Sequence, residues 1–393
     1  MPDITNNQVQ INATIPGLSP EQMEIRVTYV IEVGLAGIPG LQMTRSISRN
    51  GFSQITAIFD DDINIYFARQ QINERLSEIK KNLPDDTEVR MGPISTGLGE
   101  IYMWAVEFKS KKDGKNLIED GLPGWQSDKT YLTPEGYKLK NEVELSSYLR
   151  TIQDWIIKPQ LKNVKGVAGI DSIGGYNKQY HIEPNLERMI AIGLNFNDII
   201  ESIKNNNISI GPGYIEKKGE SLLVNSDERL ESPKQIETIV VATRDGIPIR
   251  IKDIANVSIG KELRTGSASL NSKETVIATA LMLIGSNSRT VSQAVDDKLK
   301  EINQLLPPDI EIKILLNRSK LVRDTVKTVI KNLSEGAFLV IVILFTFLNS
   351  FRAALITALV IPLSMLITAI AMTHAKISGN LMSLGALDFG LIV

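Results

Sequence analysis

The 393-residue chain contains no cysteine. Disulfides and thiolate metal sites are therefore excluded, and a metal would have to be held by Asp, Glu, Met or one of two histidines, His181 and His374. Charge of one sign is not in excess: 43 basic residues face 45 acidic ones, a formal net charge of −2. That balance gives no footing for nucleic acid or for an acidic partner. Aromatic residues make up only 6% of the chain. No G-x-x-x-x-G-K-[ST] phosphate loop is present, and the glycines of GLGE (97–100) and GPGYIEKKGE (211–220) lack the spacing to cradle phosphates. An ion gradient is thus favoured over a nucleotide as an energy source. The N-terminus, MPDITNNQVQINATIP, has neither the basic start nor the apolar stretch of a signal peptide.

What the sequence does have is a sharp division. Residues 1–335 read as a soluble, mixed α/β chain. From Gly336 to Phe351 (GAFLVIVILFTFLNSF) and from Ala353 to Thr373 (AALITALVIPLSMLITAIAMT) there is no charge at all. At 1.5 Å per residue the second run spans roughly 30 Å, the thickness of a bilayer core. A buried hairpin in a soluble core is the competing reading, but apolar runs of this length rarely occur there. Membrane helices are expected at about 331–349 and 353–373. A third apolar stretch, 380–393, contains Asp388. A large polar domain ahead of membrane helices normally needs a targeting segment, so an upstream helix is expected as well.

In the soluble part, VQINATI (9–15) alternates like a half-buried strand. Ser19, Pro20 and Gln22 then form a capping-box signature ahead of a helix. Two strands, 41–48 and 52–59, flank the turn signal RNG. A helix at 64–82 and a strand at 87–92 complete a β-α-β-β-α-β order. The order recurs: strand 101–108, helix 145–162, strand 166–173, extended residues 267–284, helix 289–305, strand 310–316. The gap between, 174–262, reads as an inserted domain. The expected fold is α+β: two ferredoxin-like (βαββαβ) subdomains with an insertion, followed by transmembrane helices. Residues 110–142 read as a long exposed loop.

The segments PDITNNQVQ, AGIPGL, SISRNGFSQ, IYFARQQINERL, MGPISTGLGEIYMW, QDWIIKPQL, GPGYIEKKGE and NLMSLGALDFGLIV resemble, in order, the heavy-metal-efflux branch of the resistance-nodulation-division (RND) transporters. The resemblance is to the inner-membrane pump of the cobalt-zinc-cadmium type. It implies a first porter subdomain at 1–98, a second split over 99–173 and 263–316, an inserted docking subdomain at 174–262 and a membrane region at 317–393. It also implies proton-driven export of divalent cations such as zinc, cobalt or cadmium, with no cofactor and no enzymatic reaction. The implied assembly is a homotrimer contacting a periplasmic adaptor, an outer-membrane channel and the lipid bilayer, and no nucleic acid. The implied location is the bacterial inner membrane, multi-pass, with porter and docking domains in the periplasm. The chain is expected to be an N-terminal-half fragment that lacks the first transmembrane helix. An RND exporter of organic amphiphiles is the first alternative, which the low aromatic content disfavours. The second is a non-transporting, membrane-anchored binding or docking fragment of a decayed gene.

Three acidic residues are candidates for the chemistry. Asp388, in ALDFG, is expected to relay protons: a carboxylate in an apolar helix is expensive, and burial favours its neutral form. The resemblance places it in a small acidic set on the fourth transmembrane helix. Glu100, in GLGEIYMW, is the leading metal candidate, since carboxylates suit a hard or borderline cation and the residue sits at the junction of the two porter subdomains. A strand-start carboxylate paired with a basic neighbour is the plain alternative. Asp154, in QDW, is a second metal candidate that would equally cap or pair along its helix. His181 and Arg45, Arg49 and Arg69 read as structural. One pattern points the other way on orientation. Arg318, Lys320, Arg323, Lys327 and Lys331 all lie on the porter side, against Arg352 in the hairpin turn, and by charge alone would hold the porter domain in the cytoplasm.

Overall fold

The computed structural model describes residues 5–109, 120–210, 214–217, 220–223, 226–227, 229–244, 246–262, 266–348 and 350–375. The chain divides into two compact units, one from Met1–Phe108, Ile156–Ser172 and Ile277–Val393, the other from Lys109–Trp155 and Ile173–Val276.

The first unit opens with β1 (Gln8–Thr14), whose alternation buries Val9, Ile11 and Ala13. Both bonds of the capping box form: the Gln22 amide donates to Ser19 Oγ and the Ser19 amide to Gln22 Oε1, each at 3.3 Å. The helix runs as α1 (Pro20–Met23), a π turn (Glu24–Thr28) and α2 (Tyr29–Leu35). Met23, Val27, Ile31 and Leu35, at four-residue spacing, bury one face in the core beside the sheet. β2 (Leu41–Arg49) and β3 (Phe52–Phe59) follow, joined through Gly51 at φ +65°. A Cβ there would also lie 2.9 Å from the Ile15 carbonyl, so glycine is required twice over. α3 (Ile65–Ile79), capped by Asn64, and β4 (Glu88–Met91) close the layer. The strand order is β2-β3-β1-β4, antiparallel throughout. Arg69 reaches from α3 to the Gly92 carbonyl at 2.8 Å, a structural bond.

β5 (Glu100–Phe108) begins a second sheet. Next come β6 (Gly124–Trp125), β7 (Tyr131–Leu132) and β8 (Lys138–Leu139), an antiparallel meander. Residues 120–139 are therefore not a simple loop. The Tyr131 ring is buried between Trp125, at 5.5 Å edge-on, and Tyr148, at 6.1 Å. α4 (Glu142–Thr151), a second π turn (Ile152–Ile157) and α5 (Lys158–Lys162) lead to β9 (Val167–Ile173). Both helices carry a π turn, and the sequence from the last residue of the first turn can be laid over that from the third residue of the second. TYVIEVGLAGIPGL (28–41) lies over DWIIKPQLKNVKGV (154–167), matching Thr28 to Asp154 and the exposed Tyr29 to the exposed Trp155.

The second unit continues with β10 (Lys178–Pro184), α6 (Leu186–Ile192) and α7 (Phe196–Asn206). Four short strands follow, β11 (Ser209–Ile210), β12 (Tyr214–Lys217), β13 (Glu220–Leu223) and β14 (Ser226–Asp227), paired β11 with β14 and β12 with β13. Then come α8 (Pro233–Thr238), β15 (Val240–Arg244), β16 (Ile247–Arg250), α9 (Ile251–Ile254) and β17 (Ala255–Lys261). β10 and β17 form an antiparallel ribbon from Lys178↔Lys261 to Pro184↔Ala255. The base of that ribbon shares a core with the helices around Met189, Ile199, Ile236, Ile251, Ile254 and Val257.

After the small hairpin β18 (Ser269–Leu270) and β19 (Lys273–Glu274), the chain returns as β20 (Val276–Met282), α10 (Ser288–Leu305) and β21 (Ile310–Asn317). The second sheet has the order β21-β5-β20-β9. β21 passes without a loop into α11 (Arg318–Leu348), and α12 (Phe351–His374) packs back on it through Phe345 and Phe351, ring centroids 6.3 Å apart. The basic residues Arg318, Lys320, Arg323, Lys327 and Lys331 thus lie on the first half of one continuous helix that leaves β21 directly. Among the described residues, one helix, Arg318–Phe347, is long and apolar enough to cross a membrane. Many of its apolar side chains are exposed, among them Phe338, Leu339 and Phe347, the last 84% exposed, while Val329 is buried.

Candidate functional site

Glu100 is the first residue of β5 and its side chain is exposed. Its surroundings are fixed by the register of the second sheet. β5 runs antiparallel to β21 with Tyr102 opposite Asn317, the residue from which α11 departs. Glu100 therefore lies at the end of the sheet where that long helix begins. The backbone just before it is held on both sides: the Met282 amide donates to the Gly99 carbonyl at 2.8 Å, and the Arg318 guanidinium donates to the Leu98 carbonyl. Among the described residues no three His, Asp or Glu side chains cluster closely enough to hold a metal ion. Glu100 offers a carboxylate, and among the described residues it is not part of a three-ligand group.

Asp154 sits elsewhere, in the second π turn. It accepts from Arg150 Nε at 2.5 Å, one helical turn away, with both side chains about one-fifth exposed. Arg150 in turn donates through Nη1 to the Gly174 carbonyl at 2.9 Å. Gly174 has φ +83°, and a Cβ there would meet the Thr275 carbonyl at 2.3 Å. The ion pair therefore ties the helix to a tight glycine turn after β9. A cation approaching Asp154 would have to compete with the guanidinium.

His181 lies on β10 opposite Ser258. Its ring covers Gly260, where a Cβ would fall 2.2 Å from Nδ1 and 2.4 Å from Cγ. That is close packing of a side chain on bare backbone. Asp388 lies outside the described residues.

The sequence reading passed over a buried polar cluster beside Glu100. Tyr102, fully buried, donates its hydroxyl to Asp296 Oδ1 on α10. Lys300 Nζ holds Asp296 Oδ2 at 2.6 Å. Asn317 Oδ1 accepts from Ser292 Oγ at 3.1 Å and Ser319 Oγ at 2.8 Å, and from the amides of Ser319 and Lys320 at 3.0 and 3.2 Å. Burial alone would raise the Asp296 carboxyl, but the hydrogen bonds from Lys300 and Tyr102 outweigh it and hold it below the usual carboxylate range. Burial, and then the bond to Asp296, push the Tyr102 phenol up, so it remains a donor. The clue in the sequence was Asp296 itself: it falls within the Ser292, Val295, Leu299, Ile302 stripe, all of it buried, where a charge is out of place.

The whole chain, residues 1–393, matches the AcrB/AcrD/AcrF family. It is 54% identical over 393 residues to the nickel-cobalt-cadmium resistance protein NccA of Alcaligenes xylosoxydans xylosoxydans, all of this chain and 36% of that protein. It is 51% identical over 393 residues to the cobalt-zinc-cadmium resistance protein CzcA of Cupriavidus metallidurans, all of this chain and 35% of that protein. A crystal structure of a heavy metal efflux pump superposes with a TM-score of 0.81 at 30% identity, over 99% of this chain and 36% of that one. The chain spans about a third of the length of the relatives it matches.

Proposed function

Because the chain belongs to the AcrB/AcrD/AcrF family, we propose that it is part of an inner-membrane RND pump that exports divalent heavy-metal cations in exchange for protons. The observation that carries this reading is identity of 51–54% along the entire chain to proteins named for nickel, cobalt, cadmium and zinc resistance. At that level the cargo class, and not only the fold, is expected to be shared.

In this reading the two four-stranded sheets with their helices are ferredoxin-like porter subdomains. The segment around β10–β17 is a docking subdomain inserted in the second. α11 and α12 are membrane helices, which accounts for apolar side chains that would be costly in water. The complete pump would be a homotrimer in the inner membrane, with its polar domains in the periplasm against an adaptor and an outer-membrane channel. Periplasmic placement overrides the five basic residues at the start of α11, since large translocated domains weaken the positive-inside rule.

The metal ion is the substrate, and oxygen ligands suit its class. Glu100 is the porter carboxylate we assign to its path, and Asp154 is a weaker candidate held by Arg150. Asp388, in an apolar stretch of the sequence, is the residue we assign to proton relay: a carboxyl that alternates between a neutral and a paired state can be coupled to a conformational change. The test is host tolerance to nickel, cobalt, zinc and cadmium conferred by the full-length gene. Glu100→Gln should lower tolerance at unchanged protein level. Full tolerance in that variant would remove Glu100 from the path, and no tolerance conferred by the wild type would overturn the cargo assignment.

A further inference from the structure

The passage from β21 to α11 has no loop, which raises a mechanical question. A helix that leaves a strand directly can swivel at its first turn unless that turn is fixed. Here it is held by Asn317 and by Arg318, and the neighbouring β5 and α10 are tied to each other. Asn317 caps α11 through the Ser319 and Lys320 amides, and the same oxygen accepts from Ser292 on α10. Tyr102, opposite Asn317 on β5, donates to Asp296 on α10. Arg318, the first residue of α11, reaches back to the Leu98 carbonyl ahead of β5. Tyr102 and Ser292 are 0% exposed, Ser319 3% and Asp296 8%. These residues belong to one compact unit.

Apolar packing could have supplied the same cohesion. Buried polar bonds instead specify one relative arrangement, because any slip leaves a donor or a carboxylate without its partner. We propose that Tyr102, Asp296 and Asn317 form a rigid joint through which movement of α11 is carried into β5 and α10, and so to the strand that begins with Glu100. They act as positioning residues and touch no cargo. The transport consequence rests on the pump reading above; the joint itself does not.

Two measurements on the full-length pump separate these. The first is hydrogen exchange of amides 318–324 in detergent. Tyr102→Phe keeps the ring and removes the hydroxyl, and should speed exchange there by about tenfold, the worth of one hydrogen bond to a charged group. Exchange in β1 and β3 should not change. An unchanged rate at 318–324 would overturn the joint. The second compares metal binding with metal flux in liposomes. Tyr102→Phe should bind metal as the wild type does, yet transport about tenfold more slowly. Asp296→Asn, which keeps an acceptor, should lose less than Asp296→Ala. Wild-type flux in Tyr102→Phe, or equal loss of binding and flux, would overturn the coupling role. If the wild type carries no metal, the pump reading fails, and hydrogen exchange still decides the joint.

Discussion

At the scale of single residues, burial decides which side chains are free for chemistry. Gly260 and His181 are an instance of packing alone. Gly260→Ala must displace the imidazole from its root, since both Nδ1 and Cγ lie within 2.4 Å of the added carbon. We expect a loss of about 1–3 kcal/mol in urea unfolding. Most of it should return in the Gly260→Ala/His181→Ala double variant, because the two changes share one contact. Asp296 offers a titration test. Its folded-state carboxyl lies below the ordinary value of about 4 that it regains on unfolding. The unfolded chain therefore takes up the proton first as pH falls. The stabilisation is fully present above about pH 4 and is lost as pH drops through the folded value. The stability gap between wild type and Asp296→Asn should narrow with acidification between about pH 5 and 3. A gap that widens would contradict the ion-pair account.

At the scale of elements, the repeated π turn is the feature with most consequence. In the first copy Thr28 Oγ1 donates to the Met23 carbonyl at 3.2 Å and lies 2.7 Å from Ser53 Oγ and 2.8 Å from Ser48 Oγ. Thr28→Val keeps the shape and removes the hydroxyl, so the buried Ser53 loses a partner. The expected cost is about 1–3 kcal/mol, read as a shifted unfolding midpoint. Neither π turn was legible in the sequence. The apolar spacing around Val27 and Ile31 is that of an ordinary helix, and one extra residue in a turn leaves no compositional mark. The capping box at Ser19 was legible because two side chains three residues apart satisfy each other locally. The meander of 120–139 was hidden for the opposite reason. Its strands are two residues each, too short for alternation to register, and its order comes from Tyr131 packed between Trp125 and Tyr148. The position of Glu100 at a strand start was legible, and β5 begins there. Of the Tyr102–Asp296–Asn317 cluster only Asp296, a charge on a buried stripe, left a mark in the sequence; its partners did not, because Tyr102 lies 194 positions away.

At the scale of the whole molecule, the proposal is a metal pump in which the sheet that contains β21 passes directly into the apolar helix pair α11 and α12. Its central claim is exchange of metal for protons. The measurement that tests it most directly is zinc or cobalt flux by the full-length pump in liposomes under an imposed pH gradient, in wild type and in Asp388→Asn. The substitution keeps the side chain's size and much of its hydrogen bonding but removes the exchangeable proton. The account predicts wild-type flux that ceases when the gradient is collapsed, and no gradient-driven flux in Asp388→Asn although metal still binds. Flux at the wild-type rate in Asp388→Asn, or wild-type flux indifferent to the gradient, would contradict it.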